Sequence, residues 1–319
     1  MRKIAVFFVS SRTRMLIFLL AVEILLLSFL SRYFLSIQNL IELTQFGAVL
    51  LLLALGESIV MLSGREGIDL SIGAILSLSG VIFGLLIRAG AGLLIALGLT
   101  VVVGFFFGFV NGLLISVVKI PSLIATLGTQ YIFSSLALFL TGGIPISGFP
   151  ESFKFLSLKS TFGIPNQILF VAFPVSAAIL ILMYMTKFGR QVYLLGTNPE
   201  AAKFAVIDER KIKIAIYMVA GLLASFGAII NNSWIMTARA DAGTGLELQA
   251  ITVACLGGIA VEGGKGSLGA VIAGVLVLTI LNSGLQIANV NSVWQLAVLG
   301  IVLLAAVVFN QAVRKYLKI

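Results

Sequence analysis

The sequence contains no histidine and a single cysteine, and only 10% of its 319 residues are charged. Each shortage excludes something. Without histidine there is no Ser-His-Asp nucleophilic set. With Cys255 alone there is no internal disulfide, and no zinc or haem site built from cysteine and histidine. Cys255 reads as a small apolar packing residue. The shortage of charge is the counterpart of a chain that is 60% hydrophobic. A soluble domain of this size would saturate its core and expose the excess to water, whereas a lipid bilayer accepts it.

A helix crosses a bilayer with about 20 mostly apolar residues. The apolar runs predict an all-α integral membrane protein, a single domain over 1–319, with ten spans at roughly 15–34, 45–62, 70–88, 92–118, 121–141, 165–185, 214–236, 247–261, 267–288 and 292–311. The eighth is short and glycine-rich and reads as a partial or tilted helix. The basic N-terminus followed by an apolar run resembles a signal peptide, but the run has about 20 residues and no small-residue cleavage site, so it reads as a retained first span.

The basic residues orient these spans. An even number puts both termini on one side. If that side is cytoplasmic, 16 of the 21 lysines and arginines lie inside, including Arg2, Lys3, Arg12 and Arg14 at one end and Arg314, Lys315 and Lys318 at the other. Arg32, Arg88, Lys154, Lys159 and Arg239 remain outside. This is the positive-inside bias of membrane proteins. It accounts for the net charge of +9 without nucleic-acid binding.

Two polar interruptions stand out. The segment around 142–164, in "GGIPISGFPESFKFLSLKSTFGIP", lies outside and is expected to form an ordered cap or a short re-entrant element. The segment 186–213 lies inside and is the most polar part of the chain. Within it, Glu200, Ala201 and Ala202 form a short helix-competent stretch, with Thr197 or Asn198 as cap and Pro199 in the first turn.

A phosphate-binding loop needs Gly-x4-Gly-Lys-Ser/Thr. The stretch "GGIAVEGGKGS", Gly257–Ser267, comes close and fails, because Ile259 occupies the first glycine position and Gly266 follows Lys265. The intramembrane acids are Glu23 and Glu57. Each is either satisfied by a partner or functional, Glu23 as a coupling site and Glu57 as a pathway-lining group.

Between the second and third spans lies "LSGREGIDLSIGA", with Arg65, Glu66 and Asp69. Its core "GIDLS", Gly67–Ser71, has the same pattern as "GLELQ", Gly245–Gln249, which joins spans seven and eight. A second pair, "NGLLISVVKIPSLIATLG" from Asn111 and "NSGLQIANVNSVWQLAVLG" from Asn282, has the same offset of five spans. An odd offset predicts an inverted repeat, spans 2–5 against 7–10. Glycine-interrupted segments at matching positions of such halves point to a translocation path, because non-helical backbone survives only inside protein or beside a water-filled cavity. The candidates are Glu57, Gly67, Asp69, Ser71, Asn111, Gly245, Glu247 and Asn282. Asp69 is expected to cap the first turn of span three, to line the path, or both. Arg65 and Asp69, four apart, would pair if the segment is helical.

In this order "GIDLSIGA", "NGLLISVVKIPSLIATLG", "FGRQVYLLGTNPEAA" and "GTGLELQAITVACLGGIAVEGGKGSLGAVIAGVL" resemble the permease subunit of ribose-type bacterial ABC sugar importers, over about residues 15 to 312. The resemblance implies a pore of two permease copies in the bacterial inner membrane, like or unlike. ATP is bound by separate ATPase subunits, and a periplasmic binding protein delivers the solute. The chain itself then holds no cofactor and is no enzyme. The resemblance also assigns ATPase docking to Gly189, Arg190, Asn198, Pro199, Glu200, Ala201 and Ala202. The family commonly lacks the Arg65–Glu66 insertion, here placed between two glycines. "GTGLELQ" and "ISGFPESF" look closer to the rhamnose and autoinducer-2 branches than to the ribose branch. The alternative, an ion-coupled secondary transporter, would place its ion site at Glu23 or Glu57.

Overall fold

The computed structural model describes residues 12–64 and 67–317. Arg65 and Glu66, and with them the expected Arg65–Asp69 pairing, lie outside the described residues, as do Arg2, Lys3 and Lys318. Among the described residues thirteen α-helices follow one another: α1 Arg12–Leu30, α2 Ile37–Leu62, α3 Ile72–Arg88, α4 Leu93–Ser116, α5 Ser122–Thr141, α6 Lys154–Ser157, α7 Phe173–Met185, α8 Lys187–Thr197, α9 Pro199–Phe204, α10 Glu209–Ile235, α11 Leu246–Leu256, α12 Leu268–Ile287 and α13 Ser292–Leu317. A π turn, Ile168–Ala172, extends α7 at its start. The ten expected spans map one to one onto α1–α5, α7 and α10–α13.

Among the described residues, six helices are long and apolar enough to cross a membrane: α2, α4, α5, α7 with its π turn, α10 and α12. Two expected spans are cut shorter. α3 has 17 residues and α11 only 11. At 1.5 Å per residue, α11 covers about 16 Å, half of a bilayer core of about 30 Å. The expected span 247–261 therefore ends at Leu256, where Gly257 and Gly258 begin a glycine-rich turn. Of "GLELQ", only Gly245 lies in the join, with a left-handed backbone. Leu246–Gln249 already form the first turn of α11.

The architecture contains a repeat. α2 and α10 pack on each other at the centre, antiparallel, with Gly56 against Ala220 and Gly227 beside Val49. Around them four contacts have counterparts: α3 on α10 and α11 on α2, α4 on α10 and α12 on α2, α3 on α4 and α11 on α12, α3 on α5 and α11 on α13. This is the inverted pairing of α2–α5 with α10–α13. Gly104, Gly108 and Gly112, four apart on one face of α4, let its backbone lie against Gly221, Tyr217 and Ile214 of α10.

α2 and the second half of α10 are largely buried, whereas α4 and α5 expose Leu94, Val102, Phe106 and Phe139 outward. Such a belt is costly in water and neutral in lipid.

The 142–164 segment is an ordered cap. It consists of a one-turn 3-10 helix, α6 and a two-residue hairpin of β1 Ser160–Thr161 with β2 Ile164–Pro165. Phe149 and Phe153 pack on Phe83 of α3 at ring distances of 5.3 and 4.7 Å. Ile146 pairs with Ala238 through two backbone hydrogen bonds, of 2.8 and 2.9 Å.

Candidate functional site

Both α3 and α11 begin inside the protein. After α2 ends, the chain folds back on it. Gly67 donates to the Gly64 carbonyl at 3.0 Å, and a Cβ at Gly67 would collide with the carbonyl of Val60. After α10 ends, residues 238–243 descend along α3, from Ala238 beside Gly84 to Gly243 beside Gly73. The first turn of α3 and the approach to α11 cross at Gly73 and Gly243 with their backbones in contact. Ser77 Oγ accepts from the Gly243 N–H at 2.8 Å. Past α11, Gly263 returns to Gly64 at the far end of the first break. The two breaks therefore enter from opposite faces.

The polar residues around the crossing form one network. Both carboxylate oxygens of Glu57 accept from the Asp69 N–H, at 3.2 and 3.3 Å. Asp69 Oδ1 accepts from the N–H and the hydroxyl of Ser71, at 2.9 and 2.6 Å. Asn111 Nδ2 on α4 donates to Ser71 Oγ at 2.7 Å. Thr126 on α5 accepts from the Leu70 N–H at 3.2 Å and donates to the Ser122 carbonyl at 2.8 Å. Glu57, Asp69, Ser71 and Asn111 are fully buried.

The expected cap at Asp69 is corrected here. Its carboxylate reaches only to Ser71, the residue before α3, and not to the free N–H groups of the first turn. It holds the break rather than the helix end.

In the second half, Glu247 stands in the first turn of α11, where a carboxylate suits the helix dipole. Its Oε1 accepts from the Gly245 N–H at 3.2 Å and from Gln130 of α5 at 3.4 Å. Asn282 Nδ2 of α12 donates to Gln249 Oε1 at 3.3 Å. In the register of the sequence repeat, Asn282 corresponds to Asn111 and Gln249 to Ser71. The asparagine of each half thus bonds the matching residue of its motif, Ser71 just before α3 and Gln249 in the first turn of α11. Glu23 lies elsewhere, on α1, and its Oε2 has no hydrogen-bond partner among the described residues.

The 186–213 segment folds as α8 and α9. Thr186 caps α8 by accepting from the Phe188 N–H at 3.2 Å, and Gly189 lies so close to the Met183 carbonyl that no Cβ fits. Asn198 caps α9, accepting from the Ala201 N–H at 3.0 Å, with Pro199 first in the helix. Ala202 is buried, whereas Arg190 and Glu200 are exposed. Asn198→Ala is expected to remove about 1 kcal/mol from α9. Hydrogen exchange would show this as faster exchange confined to Ala201–Phe204.

Several residues of this region were not read from the sequence. Gly196 at the end of α8 touches the Leu62 carbonyl and the backbone of Gly264. Gly264 N–H donates to the Leu62 carbonyl at 3.0 Å. The failed phosphate loop is thus a packing turn, and through it α8 touches both the end of α2 and the turn after α11. Tyr193 donates to the Gly266 carbonyl at 3.1 Å. Burial, and then the neighbouring Tyr184, push its phenol pKa up. At the end of α9 and just past it, Phe204 and Val206 are each 90% exposed. A composition scan of so polar a segment passes over them, although two apolar residues among charges are visible in the sequence.

Two cavities approach the network. One, of about 730 Å³, opens on the face carrying α8 and α9 and is lined by Gly67, Ser122 and Tyr217 among others. The other, of about 100 Å³, lies on the opposite face against Asn39, Glu42 and Asn282. On that opposite face Arg239 pairs with Asp241 at 2.8 Å and holds its carboxyl below the usual range.

Comparison with known proteins gives three results. Residues 39–307 match the family described as "Branched-chain amino acid transport system / permease component". The chain is 35% identical to the autoinducer 2 import system permease protein LsrC of Escherichia coli strain SMS-3-5, over 93% of this chain and 86% of that protein. It is 33% identical to the ribose import permease protein RbsC of E. coli K12, over 91% of each. Among solved structures, PsaBC from Streptococcus pneumoniae in complex with Fab matches with a TM-score of 0.50 at 17% identity, over 90% of this chain and 94% of that one. At that identity the likeness concerns the fold alone.

Proposed function

The chain belongs to the branched-chain amino acid transport system / permease component family, and from that premise we propose how it serves an ATP-driven importer of the inner membrane. It is the permease subunit and not an enzyme. Two such copies, like or unlike, form the pore. Separate ATPase subunits bind the face carrying α8 and α9, which is the cytoplasmic face together with both termini. A periplasmic binding protein delivers the solute to the face carrying the 142–164 cap. The relatives named for ribose and autoinducer 2 favour a small, hydroxyl-rich solute.

One observation carries the docking assignment. α9 ends at Phe204, with Val206 two residues on, and both apolar side chains are almost wholly exposed on the most polar segment of the chain. Exposed apolar groups ringed by charge mark protein contacts. Behind them, Gly196 joins α8 to the end of α2 and to the turn after α11. A push on α8 and α9 therefore reaches the first break and the turn after α11 through backbone contacts. Gly67, Asp69, Ser71 and Asn111 on one side, and Gly245, Glu247 and Asn282 on the other, are then the elements that rearrange as the path opens, with Glu57 holding the first break.

The test is purification from the native membrane in mild detergent, with mass spectrometry of what accompanies the chain. A stoichiometric ATPase is expected. Replacing Glu200, Ala201 and Ala202 by glycine is expected to remove at least nine-tenths of it while the permease stays folded. Retention of the ATPase by that variant would refute docking at α9. A chain that purifies alone and moves solute without ATP would favour the ion-coupled reading instead.

A further inference from the structure

The two cavities that approach the network occupy equivalent places in the repeat. The 730 Å³ cavity lies between the ends of α2 and α4 and the start of α10. The 100 Å³ cavity lies between the start of α2 and the ends of α12 and α10. The repeat exchanges α2 with α10 and α4 with α12, so it exchanges these two positions and the faces on which they open. Equivalent cavities on opposite faces of an inverted repeat suit the two mouths of one path.

Their linings differ. In the register that equates Asn111 with Asn282, Ile115 of the inner cavity corresponds to Gln286 of the outer one. α2 brings Asn39 and Glu42 to the outer cavity, and α12 brings Asn282, Ser283 and Gln286, at spacings that share one helix face. Trp234, next to the last residue of α10, forms the third side. Ser283 Oγ donates to Asn39 Oδ1 at 3.2 Å and joins the two helices there. The enclosed space is only about 100 Å³, so groups from all three helices reach one small molecule.

A depression of about 530 Å³ opens beside this cavity and shares Glu42 and Trp234 with it. A ring too large for the inner recess extends past Trp234 into that space. Asn39 and Ser283 are buried, whereas Glu42 and Gln286 are exposed and Trp234 and Asn282 half-buried. Glu42 is held only by Gln38 at 3.4 Å. Asn282 spends its NH₂ group on Gln249 in the first turn of α11 and keeps its carbonyl oxygen. A carboxylate accepts hydroxyl protons, and amides both donate and accept. An indole offers a flat apolar face beside them. An aromatic wall with a few convergent polar groups is the usual make-up of a small-molecule site. Among the described residues lining either space, Glu42 alone is ionisable, so no cation is present to pair with an anionic solute.

We propose that the solute first contacts the permease here: a neutral, hydroxyl-rich ring lies with one face on Trp234 and its hydroxyls on Glu42, Asn282 and Gln286. The proposal rests on the reading of the chain as a solute permease and gives that reading an outer site. Through Asn282 the site adjoins the start of α11, so the solute meets the second half-repeat on arrival.

Trp234 is one of two tryptophans, and Trp294→Phe leaves it as the only reporter. The experiment is a fluorescence titration of that full-length variant in phosphatidylcholine nanodiscs with a tryptophan-free scaffold. D-Ribose, D-xylose and L-rhamnose are the probes, with ribose 5-phosphate as the anionic control. At least one sugar is expected to change the Trp234 emission saturably in the millimolar range, and the ester at least tenfold more weakly. Glu42→Ala with Gln286→Ala, both at exposed positions, should weaken the sugar at least tenfold with little change in the thermal melt. No saturable response to any of the three sugars overturns the proposal. So does a response that the double variant leaves unchanged, or one that the ester matches. Co-purification of an ATPase is scored on the same preparation. An ATPase without a sugar response defeats the outer site alone, whereas a sugar response without an ATPase defeats the ATP-driven reading and leaves the site standing.

Discussion

Gly243→Ala is expected to abolish transport while Gly245→Ala, two residues away, is tolerated. A Cβ at Gly243 would sit against the carbonyl oxygen of Gly73, with the carbonyl carbon and Cα of Gly73 close behind at 2.7 and 2.9 Å. All three obstacles are backbone, so no rotamer change relieves them, and the approach to α11 must move off α3. Overpacking of this kind costs about 3 kcal/mol. Gly245 has the left-handed backbone at φ 83°, yet a Cβ there meets nothing within 4 Å. Its alanine variant bears only the conformational cost, about 1 kcal/mol. Uptake by the reconstituted importer should fall at least tenfold for Gly243→Ala and less than threefold for Gly245→Ala. The thermal melts should differ in the same order. If the two variants behave alike, the crossing at Gly73 is not what the glycine serves.

Asp69→Ala carries the second large effect. One carboxylate oxygen of Asp69 accepts both the N–H and the hydroxyl of Ser71, and Ser71 in turn receives Asn111. Removing the carboxylate strands two buried donors at the start of α3. The loss of two hydrogen bonds to a buried acceptor amounts to about 3 kcal/mol. Asp69→Asn keeps a carbonyl oxygen in place and is expected to cost about 1 kcal/mol. The pair of variants, melted in detergent and assayed for uptake, separates a need for an acceptor from a need for charge. Equal loss in both would assign the charge itself a role. Equal tolerance would deny Asp69 any part in shaping the break.

The docking test and the Asp69 pair address different links of one chain of contacts. From α9 the contacts run through Asn198 and α8 to Gly196, then to the Leu62 carbonyl at the end of α2. Glu57 sits five residues before that end and holds the Asp69 N–H. Each step is a backbone contact or a hydrogen bond, so displacement is transmitted with little slack.

Much of this was legible beforehand. The ten spans and the repeat of spans 2–5 with 7–10 followed from apolar runs and two pairs of similar strings, because membrane burial and internal duplication both leave linear patterns. The repeat register anticipated that Asn111 and Asn282 are equivalent, and each bonds the last residue of the motif in its own half, Ser71 and Gln249. The α9 turn was equally local: Asn198 and Pro199 act within three residues of themselves. The misreadings were local too. Asp69 looked like a cap because an acid beside a helix start satisfies that pattern, whereas its partner was decided by how far the chain had turned before α3 began. The eighth span looked longer than it is because "GGIAV" is apolar, although Gly257 and Gly258 end the helix.

The sequence by itself determined that this chain lives in a membrane, that it is built of two related halves, that each half has a broken helix, and to which family it belongs. Those are properties of composition, periodicity and order along one chain. Only the tertiary structure decided that Gly73 crosses Gly243, that Gly196 meets Leu62 and Gly264, and that Glu42, Trp234 and Gln286 line one cavity. A glycine in a sequence records that no side chain is wanted. It does not record which distant backbone occupies the space, because that depends on two segments far apart in the chain arriving at the same place.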